Sequence, residues 1–260
     1  MNSDGVYDFY LHEKDCDIGE IKRKILDAVS DDHKDDFERF YPSPADLNYL
    51  PRNSVLIRLQ FTLKKPYTSR GEDAFSTNPI VRDKFTCLPI VRPSTWKGNL
   101  RFAANMVDNQ NNQKRMIIRR LFGSGSHENN GFRGRLHFFP TFFETTKDDV
   151  ITPVNRKTRK PSRGPIEVEV IGAGTKGMFH ILYTPYPRGR AFKRGEIHAD
   201  LQFLVEAMKL MFHRFGFSAR RTSGFGVIKE DLEGELWLAD EFHEFQSLTQ
   251  LRNIIGGMLR

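Results

Sequence analysis

The sequence predicts an α+β sandwich, in which strands and helices alternate along the chain. Residues 55–63 alternate apolar and polar side chains, which is the pattern of a strand with one buried face. Residues 96–104 and 201–215 instead place apolar side chains at helical spacing. Hydrophobic residues make up 38% of the 260 residues, and 22 residues are phenylalanine. A chain of this composition buries a large core, so an intrinsically disordered protein is excluded.

Charge is distributed unequally along the chain. Residues 1–50 contain 13 acidic and 6 basic side chains, whereas residues 51–260 contain 20 acidic and 34 basic ones. A strongly basic body is typical of proteins that bind a polyanion, most often a nucleic acid. We therefore divide the chain into an acidic N-terminal extension, residues 1–50, and a basic binding domain, residues 51–260. The extension either shields the basic body or docks on a basic neighbour.

The sequence also excludes several kinds of protein. Its two cysteines, Cys16 and Cys87, are too few for a disulfide framework or for a multi-cysteine zinc site. No apolar run reaches the length of a membrane span, and the acidic N-terminus lacks the basic-then-apolar order of a signal peptide. We therefore expect a cytoplasmic protein that has no membrane partner.

The first elements are a short helix and a strand. Ile18, Ile21, Ile25 and Val29 share one face and predict an amphipathic helix over residues 18–29. A polar linker that contains three prolines then leads to the strand at residues 55–63. Residues 67–81 are rich in turn-forming residues and predict a loop.

A helix that follows Pro93 is the first candidate binding element. Residues 88–91 predict a short strand, and Ser94 stands where the N-cap of the next helix is expected. Lys97 and Arg101 are four residues apart, so they lie on one face of that helix. A helix N-terminus beside two cations is a suitable seat for a phosphate. The alternative is a capped surface helix with two solvated cations.

The remaining elements complete the predicted sandwich. A second helix over residues 110–122 ends at Gly123, and residues 134–143 predict a strand with a bulge or an edge at Pro140. Residues 166–171 and 178–183 predict a hairpin around a glycine-rich turn. The longest helix is predicted to run from Asp200 to Gly216, followed by a strand at 234–238 and a closing helix at 242–259. This order favours a ferredoxin-like fold elaborated by insertions.

Two further basic segments supply the other candidate binding residues. Residues 151–165 carry five cations without apolar periodicity, which predicts an exposed basic loop. Residues 218–228 combine arginines with glycines, and glycine lets backbone N–H groups approach a phosphate closely. The predicted binding residues are Ser94, Lys97, Arg101, Arg156, Lys157, Arg159, Lys160, Arg220, Arg221, Ser223 and Gly224.

Taken together, these motifs resemble the RAMP superfamily of CRISPR effector proteins. The Ser-x-x-Lys-Gly-x-x-Arg pattern of its backbone subunits matches residues 94–101, and its Phe-Gly pair and Gly-Arg-Leu strand match residues 122–123 and 134–136. Its Asn/Asp-Arg-x-Thr segment is similar to residues 155–158, and its glycine-rich loop is similar to residues 222–226. The motifs occur in the family's order and cover roughly residues 55–238.

The resemblance implies a ferredoxin-like (RRM-like) core with an inserted basic thumb hairpin and extra helices. It implies a guide-RNA-binding backbone subunit of a type III effector complex, whose partners are crRNA, target RNA and other effector subunits. Guide binding has to be independent of base sequence, so phosphates are expected to be read by Lys, Arg and backbone N–H groups. The thumb is assigned to the basic loop at residues 156–163.

The resemblance leaves the catalytic role open. Target-cleaving members have an aspartate where this chain has Thr77, and threonine cannot replace a carboxylate as base or metal ligand. The first hypothesis is therefore a non-cleaving subunit without a cofactor. The alternative is a metal-dependent endoribonuclease that cuts target RNA with Mg²⁺ through Asp73, or through Glu72. A third hypothesis is a metal-independent guide-processing enzyme with His127 or His137 as general base.

Overall fold

A five-stranded sheet forms the centre of the fold in the computed structural model. The structure describes residues 41–70, 80–84, 86–108, 113–124, 131, 133–152, 158, 164–185, 194–238 and 241–258. The strands of this sheet are β1 (Val55–Thr62), β3 (Leu136–Phe138), β7 (Lys176–Tyr183), β8 (Glu233–Leu238) and β9 (Glu241–Phe245). They lie in the order β3-β7-β1-β8-β9, and each neighbouring pair is antiparallel.

In the described part of the chain, four α-helices accompany the sheet: α1 (Pro93–Met106), α2 (Gln113–Phe122), α3 (Arg194–Lys209) and α4 (Leu248–Met258). A π-helical segment, Leu210–Phe215, continues α3 to its end at Gly216. The inward side chains of β1 pack with the buried residues of these helices in one hydrophobic cluster. The α+β class that the sequence predicts is therefore confirmed.

Strand β1 shows why this layer forms. Val55, Ile57, Leu59 and Phe61 share one face and are each at most 1% exposed, whereas the residues between them from Arg58 onward are polar and partly exposed. Because successive side chains of a strand point to opposite faces, this alternation places one apolar row against the helices. The predicted strand at residues 55–63 agrees with the observed one to within a residue.

Among the described residues, two small antiparallel sheets accompany the central one. One pairs β2 (Ile90–Val91) with β4 (Thr141–Phe142), and the other pairs β5 (Lys147–Ile151) with β6 (Ile166–Val170). The predicted hairpin between residues 166–171 and 178–183 is wrong, because β6 pairs with β5 while β7 pairs with β1 and β3. Pro140 lies between β3 and β4, at the point where the chain moves from one sheet to another.

Two predicted helix boundaries are also wrong. Helix α3 begins at Arg194, so Asp200 lies inside it and is fully buried. Residues 241–245 form β9, and the closing helix begins only at Leu248. The spacing of Phe242 and Phe245 fits a helix, but pairing with β8 makes the segment a strand, in which Phe245 is buried and Phe242 is exposed.

The face of the sheet opposite the helices is covered in part by residues 41–50. A 3₁₀-helix, Pro44–Tyr49, buries Leu47 against Leu56 and Leu182. The ring of Tyr41 stacks on His180 with 4.0 Å between ring centres. The predicted helix at residues 18–29 lies outside the described residues, and the division of the chain at residue 50 stays a prediction.

Candidate nucleic-acid interface

Helix α1 presents the first group of predicted binding residues. Pro93 occupies its first position and Arg92 is its N-cap, so the predicted N-cap at Ser94 is wrong by two residues. Proline takes the first position readily because its φ is already helical and because the missing N–H would have had no partner there. Ser94 is exposed in the first turn, and Lys97 and Arg101 are partly exposed further along.

Trp96 anchors α1 on the sheet. Its side chain is fully buried, its indole Nε1–H donates to Thr141 Oγ1 (3.1 Å), and its ring centre lies 4.8 Å from that of Phe179. Because Trp96 faces inward, the neighbouring Lys97 is directed away from the core. Packing of Trp96 on one side of the helix therefore sets the direction of Lys97, a residue of the candidate phosphate-binding site, on the other side.

Three cations crowd together beside α1. They are Lys97 and Arg101 on the helix and Arg133 in the segment that leads to β3. Burial lowers the pKa of Lys97, and the positive charges of Arg101 and Arg133 lower it further. Across the described ranges, none of the three forms an ion pair with a carboxylate. A group of cations that repel one another without a counter-charge is suited to an anionic ligand.

The glycine-rich turn is held in a defined shape. Residues Arg221–Ser223 form a short 3₁₀-helix, and Gly224 and Gly226 both have left-handed backbone angles, with φ of 77° and 76°. The N–H of Gly226 donates to Pro66 O at 2.8 Å. Such angles strain other residues, so glycine at these two positions fits the turn.

The turn and α1 lie against each other. The guanidinium carbon of Arg221 lies 4.2 Å from the centre of the Phe102 ring, one residue beyond Arg101. A second contact joins α1 to the chain before the turn, since Asn99 Nδ2 donates to Phe217 O at 3.1 Å. The structure therefore brings together two of the predicted basic groups, which are about 120 residues apart in the chain.

The root of the β5–β6 hairpin is attached to the same region through Thr68. Thr68 Oγ1 donates to Glu169 O in β6 (2.9 Å), and the N–H of Thr68 donates to Ser218 Oγ (3.0 Å). Ser218 Oγ donates in return to Thr68 O at 2.7 Å. The segment at residues 66–68 thus joins the hairpin to the chain that enters the glycine-rich turn.

The side chain of Glu169 makes a second attachment. Its carboxylate accepts hydrogen bonds from the N–H of Ile80 (2.9 Å) and from Thr146 Oγ1 (2.8 Å), and it forms an ion pair with Arg82. Glu169 is only 9% exposed, so these partners compensate a charge that is costly to bury. One carboxylate therefore connects β6 to the segment at residues 80–82.

Several predicted site residues lie outside the described residues. These are Arg156, Lys157, Arg159 and Lys160 of the basic loop, together with Glu72, Asp73, Thr77 and His127. The basic loop connects β5 to β6, and residues 71–79 precede Ile80. Within the ranges that the structure describes, no group of three or more metal-ligating side chains occurs.

Comparison with known proteins identifies the family. The family model of the RAMP superfamily matches residues 30–229, which is most of the chain. The protein belongs to the RAMP superfamily. No curated protein matches the sequence.

Two solved structures are similar to this RAMP protein. One is a chain of the type III-B Cmr-beta complex bound to cognate target RNA, with 13% identity, coverage of 90% of this chain and 79% of that chain, and a TM-score of 0.48. The other is a chain of the Csm3-Csm4 subcomplex of a type III-A CRISPR-Cas interference complex, with 18% identity, coverage of 80% and 97%, and a TM-score of 0.48. Among the helices that the structure describes, none is long and apolar enough to cross a membrane.

This RAMP protein also contains a buried ionic network that the sequence analysis missed. Asp200 is fully buried and accepts hydrogen bonds from Arg120 Nε (2.9 Å), a terminal nitrogen of Arg135 (2.6 Å) and the hydroxyl of Tyr183 (3.0 Å). Arg135 also forms an ion pair with Glu196 at 3.0 Å. Burial raises the pKa of the Tyr183 hydroxyl, and the charge of Asp200 raises it further. The network joins α2, the start of β3, β7 and α3.

Arg135 illustrates the limit of motif reading. It is the arginine of the Gly-Arg-Leu match, and it is only 3% exposed, so its charge is used inside the protein. The one signal in the sequence is Asp200, a carboxylate within an otherwise apolar helical stripe. A carboxylate at such a position needs a cationic partner, but the sequence does not say which of its many arginines supplies it.

His137, which the sequence offered as a candidate general base, lies beside Arg133. It is half-buried in β3, and its Nδ1 lies 3.0 Å from a terminal nitrogen of Arg133. Burial lowers the pKa of His137, and the charges of Arg133 and Lys97 lower it further. Arg133 was not among the predicted binding residues, because no motif of the sequence includes it.

Proposed function

We propose that this RAMP protein is a guide-RNA-binding backbone subunit of a type III CRISPR effector complex. In this proposal it holds crRNA phosphates with Ser94, Lys97 and Arg101 of α1 and with the turn at residues 220–224. The observation that carries the proposal is the contact between α1 and the turn through Arg221 and Phe102. Family membership adds support from the sequence.

Electrostatics supports phosphate contacts rather than base contacts. The cations of α1 lack carboxylate partners among the described residues, and the turn offers the small residues Ser223 and Gly224. Point charges and backbone N–H groups recognise the phosphate backbone, which is the same for every base sequence. A guide-binding subunit requires this kind of recognition, since each guide has a different sequence.

The fold assignment within this proposal is a ferredoxin-like core with a thumb. The chain passes through β1, the helices α1 and α2, the strands β3 and β7, then α3 and β8, and these strands lie in the order β8-β1-β7-β3. This path supports a βαββαβ core. The β5–β6 hairpin supports the thumb, because the basic loop at residues 156–163 lies in its connection.

The partners follow from the same proposal. They are crRNA, target RNA and the other subunits of the effector complex, in the cytoplasm. The proposed subunit requires no cofactor, since phosphates are held by protein cations and N–H groups alone.

Two substitutions test the phosphate contacts. Lys97→Ala and Arg221→Ala should each weaken binding of the full chain to labelled single-stranded RNA, by a similar factor for oligo-U and oligo-A. Each should reduce the slope of log affinity against log salt by roughly 0.7 for every phosphate that the substituted side chain no longer binds. Fluorescence anisotropy over a series of salt concentrations measures both effects.

The matched control for these variants is Arg252→Ala. Arg252 pairs with Glu206 at 3.2 Å and lies on α4, which packs against β9, whereas α1 packs against β3 at the opposite edge of the sheet. This substitution removes the same charge without touching the proposed site. If the control weakens binding as much as Lys97→Ala, or if the variants leave the salt slope unchanged, the proposal is wrong.

A cleavage assay separates this proposal from the nuclease alternative. Complementary target RNA and Mg²⁺ are incubated with the assembled complex and, in parallel, with complex that carries Asp73→Asn. We expect no cuts that depend on this subunit, because Thr77 replaces the family's aspartate. Regular cuts that Asp73→Asn abolishes would instead establish a metal-dependent endoribonuclease.

A further inference from the structure

The outer face of the central sheet, which lies opposite the helices, carries an apolar row. Its members are direct cross-strand partners on β7, β1, β8 and β9: Leu182, Leu56, Trp237 and Phe242. The ring centres of Trp237 and Phe242 lie 5.2 Å apart. Leu47 covers the β7–β1 half of the row. The β8–β9 half is open, since Phe242 is 48% exposed.

The carboxylates beside the open half have little compensating charge. Glu235 on β8 lies directly opposite Glu244 on β9, and like charges in this arrangement repel each other. Arg58 lies 4.0 Å from Glu235, whereas Glu233 and Glu244 form no ion pair within the described part of the chain. All three carboxylates line a groove with a volume of about 730 Å³. The open half therefore suits an occupant that combines an apolar stripe with cations.

The chain that precedes the described residues joins the domain on this same face. Residues 1–40 end at Tyr41, whose ring stacks on His180 of β7. His180 is the cross-strand partner of Arg58, and a terminal nitrogen of Arg58 donates to Pro42 O at 2.8 Å. The first 40 residues are therefore attached next to the open half of the row.

The distances allow the N-terminal segment to reach that half. Tyr41 is twelve residues after Val29, and an extended chain of this length spans up to about 40 Å. Strands β7 and β9 are three strand spacings apart, which is about 14 Å. Residues 18–29 can therefore lie over β8 and β9 while Tyr41 stays on β7.

Residues 18–29 have the pattern that the open half requires. At about 3.6 residues per turn, a helix places its apolar residues in one stripe: Ile18, Ile21, Ile25 and Val29. Lys22 and Lys24 then lie to either side of this stripe, whereas Glu20 and Asp27 lie opposite it. The predicted helix thus directs its apolar residues and two of its cations toward one surface.

We propose that residues 18–29 form an amphipathic helix that docks on the open β8–β9 half of the outer face, beside residues 41–50. Its apolar stripe covers the two aromatic rings, and its two lysines lie near the carboxylates of β8 and β9. The inference does not depend on the proposed RNA-binding function. The family model begins at residue 30, so it does not include this segment.

Zero-length cross-linking of the unmodified full chain tests the contact. A carbodiimide joins a lysine to a carboxylate only when the two groups touch, and mass spectrometry identifies the linked peptides. We expect links from Lys22 or Lys24 to the carboxylates of β8 and β9. In a mixture of isotope-labelled and unlabelled protein, each of these links should join two parts of one chain.

Three results of this experiment would overturn the proposal. The first is the absence of the expected links. The second is a set of links from carboxylates of residues 1–40 to Lys97, because the extension would then shield the cations of α1. The third is a set of links between labelled and unlabelled chains, because the segment would then dock on a second copy.

Tryptophan fluorescence gives an independent test. The chain contains two tryptophans, and Trp96 is fully buried, so acrylamide quenching reports mainly on Trp237. Ile21→Asn combined with Ile25→Asn makes the apolar stripe polar. This double variant should raise the quenching constant and shift the emission maximum to a longer wavelength, because Trp237 loses its cover.

The matched control is Arg23→Asn combined with Asp27→Asn. It introduces the same two side chains on the opposite side of the predicted helix and leaves the net charge unchanged. Its quenching constant should equal that of wild type. Thermal unfolding of both double variants establishes that the sheet is folded in the assay. Equal quenching constants for the two double variants would overturn the proposal.

Discussion

The molecule contains two clusters of arginine whose charges are used in opposite ways. In one, Arg120 and Arg135 surround the fully buried Asp200. In the other, Arg101 and Arg133 stand beside Lys97 without a carboxylate partner in the described part of the chain. One short segment supplies an arginine to each cluster: Arg135 belongs to the buried one and Arg133, two residues earlier, to the other.

The difference between the clusters shows how one residue type serves both folding and binding. A buried guanidinium with a bidentate carboxylate partner holds elements together, because removing either partner leaves a charge without compensation. Partly exposed cations without a counter-charge repel one another and do not stabilise the fold. They remain available to a polyanion, which supplies the missing negative charge.

The largest expected effect comes from removing the shared carboxylate of the buried cluster. Asp200→Ala should destabilise the protein by about 3–5 kcal/mol, because it leaves Arg120 and Arg135 without their partner in a buried site. The free energy of unfolding in urea measures this loss. The control is Glu206→Ala, which removes a partner of the exposed Arg252 and should cost at most about 1 kcal/mol. Equal losses for the two variants would contradict the division into two clusters.

An intermediate effect is expected in the turn that carries Arg221. Alanine at either Gly224 or Gly226 is strained by a left-handed backbone, at a cost of about 1–3 kcal/mol. At Gly226 the added Cβ would also lie 2.6 Å from Ser218 N, whereas nothing lies within 4 Å of the Cβ at Gly224. Gly226→Ala should therefore lower the melting temperature and the RNA affinity more than Gly224→Ala does. The reverse order would show that the shape of the turn does not position Arg221.

The smallest effect, and one of opposite sign, is expected from Lys97→Gln. Burial and two cations lower the pKa of Lys97, so the charged form is disfavoured in the folded protein. This penalty is fully present below the folded pKa and fades as the pH rises toward the ordinary lysine value. At pH 7 the variant should therefore unfold at the same or a slightly higher temperature while it binds RNA more weakly. Differential scanning fluorimetry measures the unfolding temperature, and fluorescence anisotropy measures RNA binding. A lower unfolding temperature than that of wild type would contradict the assignment of Lys97 to a cluster without a counter-charge.

Local patterns in the sequence predicted much of the fold. The alternation of β1 and the helical stripe of α3 reflect contacts with one large core, and both elements were found. The partner of β6 could not be found in this way. Its alternating residues satisfy a hairpin with β7 as well as the observed pairing with β5, whose polar sequence gives little strand signal. The pairing of β6 with β5 depends on contacts that a local sequence pattern does not contain.

The candidate site was predictable only where its residues form a motif. Lys97, Arg101 and Arg221 lie in short basic or glycine-rich patterns, so the sequence drew attention to them. Arg133 lies in no such pattern, and only the folded protein shows that its charge acts on Lys97. Arg135 does lie in a motif, the Gly-Arg-Leu match, but its side chain is buried and donates to Asp200.

The cover that residues 41–50 place on the sheet limits the route of any bound nucleotide strand. With Leu47 seated over Leu56 and Leu182, and Tyr41 stacked on His180, bases cannot spread across the middle of that surface. In the proposed function, a strand held by α1 and the turn therefore does not use the part of the sheet that residues 41–50 cover.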